Sequence, residues 1–268
     1  MCALFTGQFI EIITLFAVVV IHELGHVFVA KSYGWEIKEI QLLPFGGMAT
    51  MKQYNDSIWE EFIVALSGPI QNLFMVVVAL SCMKFGLWSG EWTTFFINAN
   101  LIIGLFNLLP ISPLDGNKLL KCILFLFLPF RKAISYSIFI SIVVNLFFII
   151  WACGFIVIGK ININGIILGV FFFLITISEI KQTTYTFWQF LFNKVDSKSK
   201  RNVSALSIIV NKDLLVISAL KLLHRERYHL FYIISNDGEV LKIIPEEKLL
   251  QCIYKNNELY QPIFSIKS

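Results

Sequence analysis

Apolar residues dominate five long runs of the chain, near Phe9–Lys31, Phe62–Met83, Trp92–Leu109, Ala133–Ile158 and Ile161–Ile180. Each is roughly 17 to 25 residues long, the length a helix needs to cross a hydrocarbon layer about 30 Å thick. The pattern predicts five membrane-spanning helices. A shorter apolar piece, Leu119–Leu128, ends at Pro129 ahead of Arg131 and Lys132 and reads as a half-span or interfacial segment. From Lys181 the chain turns polar and charged, which divides it into a membrane core over 1–180, a linker over 181–202 and a small domain over 203–268. The tail reads as a strand (VSALSIIV), a helix at Asp213–His224, a strand (HLFYIIS), an Asn-Asp-Gly hairpin turn, a strand (EVLKII) and a helix from Pro245. The expected fold is a polytopic α-helical membrane protein with a small C-terminal α+β domain.

Composition agrees: 57% of the 268 residues are hydrophobic, too many for one soluble core to hide. The cysteines (Cys2, Cys82, Cys122, Cys153, Cys252) show no C-x-x-C pairing and sit mostly in apolar runs, which argues against a disulfide framework or a thiolate metal site. The net charge of +4 is modest and calls for no direct contact with nucleic acid. Its distribution is more telling, because lysine and arginine stay on the cytoplasmic side. The first loop holds Lys31, Lys38 and Lys52, the second only Lys84, the third Lys118, Lys121, Arg131 and Lys132, and the fourth only Lys160; the rest follow the fifth span. The first loop, the third loop and the tail are therefore expected in the cytoplasm. The start of the chain lacks a basic region and a cleavage site for a signal peptide. Met1–Gly7 reads as the end of an earlier apolar segment.

Against this background the segment VVVIHELGHVFVAK (18–31) is costly, because it puts His22, Glu23 and His26 at membrane depth. Helix positions i and i+4 project side by side, so His22 and His26 can share one tetrahedral zinc ion, with Glu23 beside them as general base. A third ligand must come from the same side of the membrane. NLLPISPLDGNKLL (107–120) lies in a loop assigned to the cytoplasmic face, and Asp115 there is expected on irregular backbone broken by Pro110, Pro113 and Gly116. Asp115 is the expected third ligand of a His-His-Asp set with one position open, the other reading of this Asp-Gly pair being a plain surface turn.

Other residues have candidate supporting roles. Pro44, Phe45, Gly46 and Gly47 read as a turn between extended segments, either an edge for substrate to join as a strand or a plain hairpin. Gly68-Pro69 is expected to kink the second span. Asn72 can bond across helices, support the metal loop or serve as packing glue, and Asn107 can orient substrate or loop backbone. His224 and His229 flank Arg225, Glu226 and Arg227 and read as a solvated basic turn.

With HELGH in a membrane helix and Asn107, Pro110, Leu114, Asp115 and Gly116 spaced as N-x-x-P-x-x-x-L-D-G, the chain resembles the site-2 proteases, intramembrane zinc metalloproteases. LLPFGG (42–47), SGPIQN (67–72) and NLLPISPLDGNKLL are similar to their sporulation branch. The resemblance implies one Zn2+ held by His22, His26 and Asp115, Glu23 as catalytic base, and removal of the pro-sequence of a membrane-associated sigma factor, pro-sigma-K. It also implies the mother-cell membrane around the forespore as location, and two inhibitory membrane partners, stage IV sporulation protein FA and the bypass-of-forespore protein. Two departures stand out: Asn117 follows L-D-G where glycine or a bulkier residue is common, and the extra helix that relatives carry before HELGH is missing. The tail resembles a cystathionine-beta-synthase (CBS) motif, which implies self-association into a homo-oligomer and ATP in its cleft; a ligand-free docking module is the other reading.

Two further readings compete with a protease. A zinc-binding scaffold or pseudoprotease has no use for Glu23, and a zinc transporter needs ligands along several spans, whereas these collect at one end.

Overall fold

The computed structural model describes residues 9–43, 46–52, 57–157, 163–196, 204–235, 237–254 and 258–266. They divide into two compact units, Met1–Cys122 with Val144–Phe148, and Ile123–Val143 with Ile149–Ser268.

In the first unit, helix α1 (Phe9–Ser32) leads into a hairpin of β1 (Glu36–Leu43) and β2 (Gly46–Lys52), followed by α2 (Ile58–Lys84) and α3 (Glu91–Asn107). Ser57 caps α2 by accepting the Glu60 N–H, and Glu60 and Glu61 in the first turn suit the positive end of the helix dipole. α1 packs on α2, and α2 on α3. The inward face of α1 is a stripe at four-residue spacing, Thr14, Val18, His22, His26 and Ala30, with Glu23 beside it. Phe16, Phe28 and Phe74 point outward, as lipid-facing side chains do. The hairpin pairs Leu43 with Gly46 and Leu42 with Gly47, and both strands keep an open edge among the described residues. Pro44 and Phe45 lie outside the described residues.

Helix α4 (Asp115–Phe127) begins in this unit and ends in the second, and α5 (Phe130–Val157) and α6 (Ile163–Asp196) follow. Among the described residues, four helices are long and apolar enough to cross a membrane: Phe9–Ser32, Ile58–Lys84, Phe130–Gly154 and Ile163–Val195. Each of the five predicted runs overlaps one of these helices or α3, but α3 has only 17 residues. At 1.5 Å per residue it extends about 26 Å, just short of a full hydrocarbon layer. α6 continues through Asp196, so much of the stretch read as a linker is helix.

In the second unit the tail forms a three-stranded sheet, β3 (Ala205–Asn211) parallel to β4 (Tyr228–Ile234) and β4 antiparallel to β5 (Val240–Pro245). The inward side chains Phe231, Ile233 and Ile244 make a small core with Leu220 of α7 (Val216–Leu220), Leu223 just beyond it and Leu249 of α8 (Glu246–Gln251). The helix expected at Asp213–His224 is confined to five residues. It stops because the Leu222 and Leu223 N–H groups close tight turns and the His224 N–H donates to His229 Nε2 at 3.0 Å.

The two histidines at this turn are not solvated, contrary to expectation, whereas Arg225, Glu226 and Arg227 between them stay half-exposed. His229 is fully buried and His224 nearly so. His229 Nδ1 lies 2.7 Å from Glu246 Oε2, which also accepts the His229 N–H and pairs with Lys194 at 3.4 Å. Lys194 further donates to the His224 and Arg227 carbonyls. Arg227 donates to the Leu126 carbonyl, and Arg225 lies over the Phe125 ring. Charged heads thus satisfy carbonyls of the turn and of the last part of α4, beside the buried histidines.

Burial pushes His224 down to about 4 from its usual 6.5, helped by the neighbouring His229 and the positive charge of Arg227. Between those values the unfolded chain takes up a proton that the folded chain refuses, so this stability is present above pH 6.5 and lost as pH falls through about 4. The urea midpoint for unfolding of the tail within the full chain is expected to drop from pH 7 to pH 4. A constant midpoint would contradict the buried arrangement.

Candidate metal centre

The four-residue stripe on α1 brings His22 and His26 onto the face that meets α2. Their rings stand edge to face, with centroids 4.9 Å apart. The helices approach closely here because the contact is lined by glycines: a Cβ on Gly25 would lie 3.1 Å from Gln71 Cβ and from the Ser67 carbonyl. Gly68 faces the imidazoles directly. A Cβ there would fall 2.3 Å from His26 Nε2 and 2.7 Å from His22 Cε1.

Asp115 arrives from the other direction. The chain leaves α3 through Leu108–Ser112 and restarts as α4, whose first residue is Asp115. The carboxylate therefore sits at a helix N-terminus, not on irregular backbone as expected; an acidic group is favoured there, and Pro110 and Pro113 confine the break to the preceding turn. Gly116 lets α4 start against the end of α3, since a Cβ on it would meet the Leu108 carbonyl oxygen at 2.1 Å.

Three donor atoms converge in this pocket. Asp115 Oδ2 is 3.1 Å from His22 Nε2 and 2.9 Å from His26 Nε2, and the two nitrogens are 3.3 Å apart. All three residues are buried, as is Glu23. His26 Nδ1 donates to the Val64 carbonyl at 2.7 Å, and Ser67 Oγ donates to the same oxygen at 2.6 Å. With that proton committed, a neutral His26 turns only a lone pair toward Asp115. A lone pair 2.9 Å from a carboxylate oxygen is repulsive unless a positive centre lies between them. Ligands about 2.0–2.1 Å from a tetrahedral zinc ion are separated by about 3.3 Å, close to the triangle seen here. His-His-Asp is also a donor set that suits zinc. The residues present fit a metal ion.

The second carboxylate oxygen, Oδ1, accepts from Lys118 Nζ at 2.8 Å. Burial alone would raise the Asp115 carboxyl, but the Lys118 ammonium and the two imidazole rings outweigh it and hold the group well below the ordinary carboxylate range.

The supporting residues divide. Asn72 is buried and donates across to the Asn100 carbonyl of α3 at 3.4 Å, next to Gly104. α2 runs as one helix through Pro69. Asn107 donates to the Ile103 carbonyl within its own helix at 3.0 Å. Gly46 and Gly47 lie in β2, in register with Leu43 and Leu42. Sequence reasoning missed Lys118, Val64 and the role of Gly68 as the space over the imidazoles. The signal for Gly68 was a small residue in a span opposite Gly25. Lys118 stood three residues after Asp115, a helical neighbour once Asp115 is known to open a helix.

This fold and these residues define a zinc metalloprotease of the site-2 type, and comparison with known proteins agrees. The profile of Peptidase family M50 matches residues 10–89. Stage IV sporulation protein FB of Bacillus subtilis is 30% identical over 252 residues, which are 94% of this chain and 86% of that protein. A zinc metalloprotease of Methanocaldococcus jannaschii is 37% identical over 124 residues, 42% of this chain but only 33% of that protein. Among solved structures, the site-2 protease from Methanocaldococcus jannaschii superposes with a TM-score of 0.52 at 29% identity, covering 62% of this chain and 76% of that one. The chain belongs to peptidase family M50. It is an integral membrane zinc metalloprotease with a small C-terminal sheet domain.

Proposed function

We propose that the protein hydrolyses a peptide bond in a membrane-associated substrate at the cytoplasmic edge of the bilayer, with His22, His26 and Asp115 as zinc ligands and Glu23 as catalytic base. The observation that carries this reading is the triangle of His22 Nε2, His26 Nε2 and Asp115 Oδ2, with sides of 2.9 to 3.3 Å, beside a buried glutamate. When bound, zinc supplies a Lewis acid that polarises a carbonyl and acidifies water. Glu23 takes a proton from the water whose oxygen adds to the scissile carbonyl carbon, and returns it to the leaving nitrogen as the C–N bond breaks. Val64, through its carbonyl, holds the His26 ring with Nε2 turned toward Asp115 Oδ2, where it would be available to a metal. The open hairpin edge at β1 and β2, with Gly46 and Gly47, suits an extended substrate that joins as a strand.

The similarity to stage IV sporulation protein FB supports a sporulation sigma-factor precursor, pro-sigma-K, as substrate, and the mother-cell membrane around the forespore as location. The same likeness supports inhibitory membrane partners of the stage IV sporulation protein FA and bypass-of-forespore type. The division into a protease core over 1–180 and a tail over 203–268 accompanies this reading. The strand and helix order of the tail fits a CBS-like module, and the exposed Ile209 and Ile243, on either side of Tyr232 across the sheet, suit self-association. ATP is the ligand such a module would take.

Co-expression of the full chain with pro-sigma-K is expected to shorten the precursor, and Asp115→Ala is expected to abolish the shortening. A precursor left intact by the wild-type chain removes this substrate. Shortening that survives Asp115→Ala overturns the assignment of the site.

A further inference from the structure

We infer that Lys118 is a positioning residue of the metal centre: by holding Asp115 Oδ1 it leaves only Oδ2 to face the imidazoles and so restricts the carboxylate to one-oxygen ligation. The inference rests on the zinc-ligand reading of His22, His26 and Asp115. A carboxylate has two equivalent oxygens and can bind a metal through one or both. Nothing in the aspartate itself decides between these modes. Here the two oxygens have distinct partners. Oδ2 lies 3.1 and 2.9 Å from the two imidazole nitrogens, and Oδ1 takes a charge-assisted hydrogen bond from Lys118 at 2.8 Å.

The helix imposes this division. Asp115 is the first residue of α4 and Lys118 lies three residues on, on the same side, so the ammonium comes to the oxygen turned away from α1. The Lys118 side chain is half exposed while the Asp115 side chain is only 6% exposed, so the lysine reaches inward from the rim and does not fill the core. It also lies in the field of the Glu23 and Glu61 carboxylates, which keeps the added positive charge compensated beside a metal site. A catalytic zinc centre needs an open position next to its three protein ligands. A carboxylate that closed on the metal with both oxygens would occupy it, and Lys118 prevents this.

The test replaces zinc with Co2+ in the detergent-purified full chain and records the visible spectrum of the wild type, Lys118→Met and Lys118→Arg. The intensity of the cobalt bands reports whether the ion has four or five ligands, independently of activity. The wild type and Lys118→Arg are expected to give the strong bands of a four-coordinate ion, because the guanidinium can still engage Oδ1. Lys118→Met is expected to retain cobalt with bands several-fold weaker, and to lower kcat more than it raises KM. A Lys118→Met spectrum identical to the wild type, or a wild-type spectrum already weak, overturns the inference and leaves the ligand assignment intact. A wild-type chain that takes up no cobalt overturns the ligand assignment itself and this inference with it.

Discussion

Glu23→Gln is expected to leave the zinc content of the purified chain at the wild-type level and to lower substrate cleavage by about 10²–10⁴-fold, the range a positioned proton-transfer group supplies. The variant keeps the volume of a buried side chain and removes only its ability to accept a proton. Glu23 lies next to His22 on α1 but is not one of the three donor atoms that converge, so the metal site should load as before. Metal content per chain and cleavage rate, measured on the same preparation, separate the two functions. Cleavage at the wild-type rate would mean that another group carries the proton, and that the protein cuts by a route that does not use this helix as proposed.

Gly68→Ala should do the opposite and abolish metal binding and cleavage together. The new methyl would lie 2.3 Å from His26 Nε2 and 2.6 Å from His26 Cε1, far inside the distance at which carbon atoms meet without displacement. The neighbours cannot simply yield. Gly25 already holds α1 against Ser67 and Gln71 of α2, and His26 is tied by its other nitrogen to the Val64 carbonyl. Either the ring rotates out of that hydrogen bond or the helices separate, and both outcomes break the triangle of donor atoms. Gly104→Ala is the informative comparison, because its Cβ would stand 3.2 Å from Asn72 Cβ, away from the imidazoles. It should be far milder. Zinc analysis of membrane-inserted Gly68→Ala at the wild-type level would show that the helices are not packed as described.

Parts of this arrangement were legible because they depend on local periodicity or on charge. The i, i+4 spacing of His22 and His26 specifies a shared helix face without reference to the rest of the chain. The clustering of lysine and arginine in alternate loops brought Asp115 to the same side as the histidines, although 89 residues separate it from His26. What stayed hidden depends on tertiary contact. The two prolines suggested an irregular setting for Asp115, yet they only end one helix so that another can start on the aspartate, and Lys118 could not be recognised until that start was known. Gly68 stands out in the sequence as half of a kink, and its further role, as empty space over two rings, exists only once α1 is packed against it. In the tail, a run of histidine, arginine and glutamate suggested solvent, but Lys194, 30 residues before His224, arrives from α6 to pair with Glu246, the carboxylate that holds the buried His229.

The account stands on one ion held by two imidazoles and a carboxylate, and zinc X-ray absorption on the detergent-purified full chain examines that directly. The predicted result is one zinc per chain with nitrogen and oxygen neighbours at about 2.0–2.1 Å and no sulfur, and loss of the zinc signal in Asp115→Ala. A chain without zinc, or zinc with a sulfur neighbour near about 2.3 Å, would contradict it.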